Sequence, residues 1–155
     1  MILYSRITRL PFREVLEKVT RNLEKYGLNV ITTINLKDTL LQNLKIKFRN
    51  YVILEAMNPL LAYKAISLES HTGVWLPCNI LVQEHENGET EVSAVNPEEA
   101  FNNIFETLQL RDVSRELVSN VRAAIDDLHR EIPQKHTEAL PTETKEAKIF
   151  NLIPS

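Results

Sequence analysis

The chain has 155 residues, a mass of 17.9 kDa, 43% hydrophobic and 25% charged residues, and a net charge of −3. That length suits one domain, and a chain of this size buries roughly 68–70% of its unfolded surface, enough for a core without disulfides or metals. The composition excludes a disordered chain, a collagen-like chain and a disulfide scaffold, and the lone Cys78, which cannot pair within the chain, predicts a reducing, cytoplasmic setting.

Apolar and polar residues alternate over 2–9, which predicts a first strand. Pro11 suits the first turn of a helix, where its missing N–H costs nothing. The helix is expected over about 11–26, because Phe12, Val15, Leu16, Val19, Leu23 and Tyr26 recur at steps of three and four. Gly27 then supplies a left-handed stop. The β-branched run 28–36 predicts a second strand, and Asp38 is expected to cap a short helix after it. Residues 50–57 predict a third strand. Asn58-Pro59 follows as a cap and a first helical residue for LLAYKAISL. Residues 74–85 predict a fourth strand, in which Pro77 requires an edge, a bulge or a strand start. Asn87-Gly88 is a hairpin signal joining it to a fifth strand over 89–95. Asn96-Pro97 opens a further helix through Phe101, Ile104 and Phe105. A longer helix is expected over about 112–132, with an apolar stripe of Val113, Leu117, Val121, Ala124, Ile125, Leu128 and Ile132, stopped by Pro133. The polar stretch 134–148 reads as a flexible linker to the apolar end Ile149-Phe150-Asn151-Leu152-Ile153.

The order of four motifs carries a family resemblance. Leu10-Pro11-Phe12, Asn58-Pro59, Leu76-Pro77-Cys78-Asn79 and Asn96-Pro97 follow one another as in the domain-of-unknown-function family 302, also called TT-1751-like. The run Ala56 to Ala62 resembles that family's Ala-Cys-Asn-Pro segment, and Gly73 to Val82 resembles its Gly-Leu-Leu-Leu-Pro-Cys-Asn segment. The resemblance covers about residues 1–107. It implies an α+β fold of the TATA-binding-protein-like class, β-α-β-β-β-β-α, with helices on one face of an antiparallel sheet. It also implies a homodimer, and it supplies no activity. On this reading the C-terminal helix, 108–133, and the tail, 134–155, are additions to the family domain. Met57 stands where the family often has a cysteine. A thioether is a weaker soft ligand than a thiolate.

Four residues are candidates for a ligand site. Cys78 is a candidate nucleophile or soft ligand, but its neighbours Trp75, Leu76, Pro77, Asn79 and Ile80 carry no positive charge to stabilise a thiolate. A small buried hydrophobe is the simpler role. Asn58 and Asn79 each offer a paired donor and acceptor, although Asn58 also suits a helix cap. Glu55 alternates with Tyr51, Ile53 and Met57. Cover over that face would raise its pKa, whereas an open face leaves it solvated. His71, His85, His129 and His136 form no metal-binding spacing, and no glycine-rich phosphate loop or nucleophile elbow is present. No pattern names a cofactor.

The charge is uneven. Residues 1–50 hold ten Lys/Arg and four Asp/Glu, net +6, and residues 51–155 hold eight and seventeen, net −9. Interleaved pairs such as Glu14–Lys18 explain this better than a nucleic-acid surface does. The basic half of one subunit is also suited to the acidic half of another, with Arg111, Arg115 and Arg122 as partners for the acidic side. No apolar run of 18 residues occurs and the first ten residues lack signal-peptide character, so no membrane partner is expected. The expectation is a cytoplasmic homodimer that binds or senses a small molecule. The rival is an interaction protein using the C-terminal helix and tail, and a weaker rival is a cysteine-dependent enzyme.

Overall fold

The structure is a computed structural model that describes residues 3–96 and 108–129. In chain order it runs β1 (Leu3–Thr8), α1 (Phe12–Lys25), β2 (Asn29–Asn35), α2 (Leu36–Leu44), β3 (Tyr51–Met57), α3 (Pro59–Leu68), a 3-10 turn (Ser70–Trp75), β4 (Cys78–Glu84), β5 (Thr90–Val95) and α4 (Leu108–Asp126), closed by a second 3-10 turn (Asp127–His129). The strands form one antiparallel sheet in the order β1-β5-β4-β3-β2. This is the α+β fold expected. The long helix is formed from Leu108, not from near Asp112, and gives way to a 3-10 turn after Asp126 instead of running to 132; the helix expected after Asn96-Pro97 and the tail 134–155 lie outside the described residues.

Local chemistry explains most boundaries. Gly27 stops α1 with φ +77, and Leu28 N–H returns to the Leu23 carbonyl at 2.9 Å. Gly88, at φ +78, turns the β4–β5 hairpin. Asn58 accepts a hydrogen bond from Leu61 N–H at 3.1 Å and so caps α3. Two further expectations need correction. The cap of α2 is Asn35, not Asp38. Asn35 accepts from Asp38 N–H at 3.2 Å, and its amide donates to the Asp38 carboxylate at 2.7 Å. The fourth strand begins at Cys78, not at 74. Pro77, joined to Leu76 by a cis peptide, has no N–H for a ladder, and 70–75 wind into a 3-10 turn instead.

The core lies between one sheet face and the helices. Val52, Leu54 and Ala56 of β3, Ile80 and Val82 of β4, and Val92 and Ala94 of β5 meet Val15, Val19 and Leu23 of α1. Leu117, Val121, Ala124 and Ile125 of α4, with Leu128 beyond it, join the same core. Two cross-links fix α4 against α1. The buried Asn22 amide donates to the Ala124 carbonyl at 3.0 Å, and Lys18 reaches the Leu128 carbonyl at 3.2 Å.

Candidate functional site

The sheet separates the four candidate residues into two pairs. In β3 and β4 the core side takes Val52, Leu54, Ala56, Cys78, Ile80 and Val82, and the register pairs Ala56 with Cys78. Asn58 follows β3 on that same side. Glu55 and Asn79 are register partners on the opposite face, where Asn79 is exposed and Glu55 half-buried. No single pocket therefore holds all four.

Asn58 and Cys78 share an apolar recess between α3, the N-terminal half of α4 and the ends of β3 and β4. Met57, Leu61, Ala65, Leu76, Leu110, Val113 and Leu117 complete its wall. Met57 and Cys78 both border this recess, although strand alternation places Met57 on the Glu55 side of β3. The space enclosed is about 10 Å³, room for at most one water. Burial pushes the Cys78 thiol up to about 11. At neutral pH it is a protonated, weakly polar wall rather than a nucleophile.

The other face of the sheet carries Thr32, Glu55 and Asn79 in one row and Ile34, Ile53, Leu81, Ser93 and Ser5 in the next. A third row holds Tyr51, Gln83, Glu91 and Ile7. A polar chain runs along its end. Arg49 donates to Gln83 at 2.9 Å, Gln83 donates to Glu91 at 3.1 Å, and His85 Nε2 lies 2.8 Å from the same Glu91 oxygen. Leu3 and Val95 pair in a further row of this face, and Leu3, Ile7 and Val95 are exposed by 57%, 52% and 45%. Antiparallel sheets covered on one side usually alternate apolar-in with polar-out. Here aliphatic side chains stand on both faces. Sequence reasoning missed this face as a unit, because it is assembled by register between strands far apart in the chain. The alternations Leu3-Ser5-Ile7 and Tyr51-Ile53-Glu55 are its local signals.

No group of three or more His, Cys, Asp or Glu side chains is arranged to hold a metal among the described residues. No helix of the described residues is long and apolar enough to cross a membrane.

Residues 4–128 match the model of the family described as Domain of unknown function DUF302. The chain belongs to this family. The match takes in all of α4, whereas the motifs that suggested the family end near 107. A crystal structure of an uncharacterized conserved DUF302 protein from Bacillus stearothermophilus is similar, with a TM-score of 0.73 and 22% identity. The likeness covers 81% of this chain and 97% of that one, and it bears on the fold. No curated protein matches the chain.

Proposed function

We propose that this DUF302 domain works as a homodimeric module in the cytoplasm, joined through the uncovered face of its sheet. The observation that carries the reading is the exposed aliphatic set Leu3, Ile7 and Val95, continued by Ile53 and Leu81, on a face that no buried helix side chain covers among the described residues. The occupant is a second copy, because a two-fold axis sets one patch against itself. Five strands about 4.8 Å apart, each about six residues long, span roughly 24 Å by 20 Å. With side-chain relief this approaches the ~800 Å² per partner of a standard interface. The lone Cys78, unable to form an internal disulfide, supports the reducing compartment.

A second reading makes the recess at Met57, Asn58 and Cys78 a small-molecule site. Its apolar wall with one polar amide is the usual composition of such sites. Its volume requires Leu76 or Val113 to move before a ligand enters. A cysteine-dependent enzyme is the weakest reading, since a thiol with a pKa of about 11 is almost wholly protonated at pH 7.

Native mass spectrometry of the untagged protein tests the first two readings. A dimer that Leu81→Glu converts to monomer supports the sheet-face module. A monomeric wild type overturns it. An adduct that protects Cys78 from a thiol reagent supports the recess.

A further inference from the structure

The segment from α2 to β3, residues 36–49, is an arm without a packing partner. None of its side chains is buried, and Leu41, Leu44 and Ile46 are exposed by 45%, 61% and 48%. The last turn of α2 gathers them. Lys45 takes the left-handed conformation at φ +58, and Ile46 N–H returns to the Leu40 carbonyl at 3.4 Å, which folds Ile46 back along the helix. The arm carries Lys37, Lys45, Lys47 and Arg49 against Asp38 alone, a net charge of +3. Lys37, Lys45 and Arg49 donate to uncharged oxygens of Asn50, Gln42 and Gln83. No carboxylate pairs with any of the four cations among the described residues.

A second charged element stands at the same end of the sheet. The β4–β5 hairpin over 84–91 holds Glu84, Glu86, Glu89 and Glu91 and no Lys or Arg, a charge of −4 with His85 neutral. Asn50 and His85 bond to two of these carboxylates, and Arg9 lies 3.8 Å from a third, Glu89. The arm reaches the open face at that end. Arg49 stacks over the Tyr51 ring at 5.5 Å and donates to Gln83 at 2.9 Å. Both belong to the row of Tyr51, Gln83, Glu91 and Ile7.

Two identical sheets that meet face to face are related by a two-fold axis lying between them. The strand order β1-β5-β4-β3-β2 makes β4 the centre. An axis along β4 keeps the hairpin ends of the two sheets together and reverses the strand order. β2 and β3 of one copy then face β1 and β5 of the other. The arm, which joins β2 to β3, meets the partner's acidic hairpin. An axis across the strands instead sets the arm against the opposite end of the sheet, the row of Thr32, Glu55 and Asn79, where Glu55 is the one charged side chain. Charge therefore selects the axis along β4.

We propose that the sheet-face dimer forms on the axis along β4, with the basic arm of each copy docked on the acidic hairpin of the other. The inference rests on the sheet-face reading and fixes its symmetry. Charges of +3 and −4 meet twice in the pair. Leu41, Leu44 and Ile46 are set over the partner's β1, where Ile7 is 52% exposed. The helix of the arm is about 14 Å long and, with its side chains, ~10 Å wide. Each copy gives one arm and receives one, and this area brings the interface up to the ~800 Å² per partner of a standard contact.

Charge exchange in the full chain tests the contact. One variant carries Lys45→Glu with Lys47→Glu, and the other carries Glu86→Lys with Glu89→Lys, none of them at a buried position. By sedimentation equilibrium at low salt, each alone should dimerise at least tenfold more weakly than the wild type. Mixed in equal amounts, with one of them 15N-labelled, they should form a heterodimer in native mass spectrometry that is tighter than either homodimer, because each arm then meets an opposite charge. A contact within one chain gives no such rescue. The wild-type Kd should rise at least tenfold from about 50 to about 500 mM NaCl. Arg13→Glu, on the exposed side of α1, should leave it unchanged. If a double variant folds poorly, Lys47→Glu and Glu86→Lys alone serve in the same mixing. Absence of rescue on mixing overturns the proposal, and so does a dimer indifferent to both charge variants. If that dimer still dissociates with Leu81→Glu, the sheet-face reading stands and the axis along β4 fails. A monomeric wild type removes both.

Discussion

At neutral pH burial holds the Cys78 thiol protonated, and the same burial makes the fold sensitive to alkali. The unfolded chain releases this proton first, near its ordinary value of 9.0, while the folded chain keeps it until about 11. Between those values the folded state binds more protons, so stability falls as pH rises. Tyr4 acts in the same direction. Its hydroxyl is raised above 10.0 by burial and by donation to Asp126. Lys25 is raised above 10.5 by its bond to Asp127, and that contribution is present below 10.5 and lost as the ammonium deprotonates. The urea midpoint is therefore expected to drop from pH 8 to pH 10.5, and to drop less in Cys78→Ser. A flat profile would remove the burial argument for Cys78. Alkylation at pH 7.5 should be at least tenfold slower in the native protein than in urea. Asp127 supports a second prediction. Asp127→Ala strips the Tyr26 hydroxyl and Lys25 of their shared acceptor, at a cost of about 2 kcal/mol read from urea unfolding. Asp127→Asn should cost less, because an acceptor oxygen remains.

The elements show how far the sequence is legible. α1 and α4 are readable because an apolar stripe at helical spacing needs only one chain segment to be seen, and Gly27 and Asn58 announce boundaries through local chemistry. The hairpin at Asn87-Gly88 is local in the same sense. The cap of α2 is misplaced because Asn35 and Asp38 are both good caps three residues apart, and the reciprocal bond between them decides it. The start of β4 is misplaced because the apolar run Val74-Trp75-Leu76 looks extended until Pro77 removes the ladder donor. The candidate site was legible residue by residue but not as a group. Alternation separates Glu55 from Ala56, yet only strand register shows that Asn79 joins the first and Cys78 the second. The role of α4 is testable at this same scale. Its side chains Leu117, Val121, Ala124 and Ile125, with Leu128, fill the core against α1 and β3 to β5. A chain ending at residue 107 should therefore lose its cooperative unfolding transition, whereas an independent 1–107 domain would keep one. Leu117→Ala in the full chain should cost about 3 kcal/mol, the usual toll of a buried leucine.

At the scale of the whole molecule the dimer proposed above gives the two sides of the sheet separate tasks. One side is closed by α1, α3 and α4, and it carries the stability of the chain. The other side presents aliphatic side chains outward without a buried helix side chain over them among the described residues. A substitution on the open side should therefore change association while sparing the fold. Ile7→Glu, at a half-exposed position on edge strand β1, and Leu81→Glu, on central strand β4, make the comparison. Both variants should keep the far-ultraviolet circular dichroism of the wild type and sediment as monomers. The wild type should melt at a temperature that rises with protein concentration, because the dimer dissociates on unfolding. The two variants should melt at temperatures independent of concentration. Leu81→Glu should disrupt the pair more than Ile7→Glu, since a charge at the centre of an interface has no route to water whereas one at the rim does. If both variants remain dimeric, the two copies meet on another surface, and the aliphatic residues of this face need a different partner.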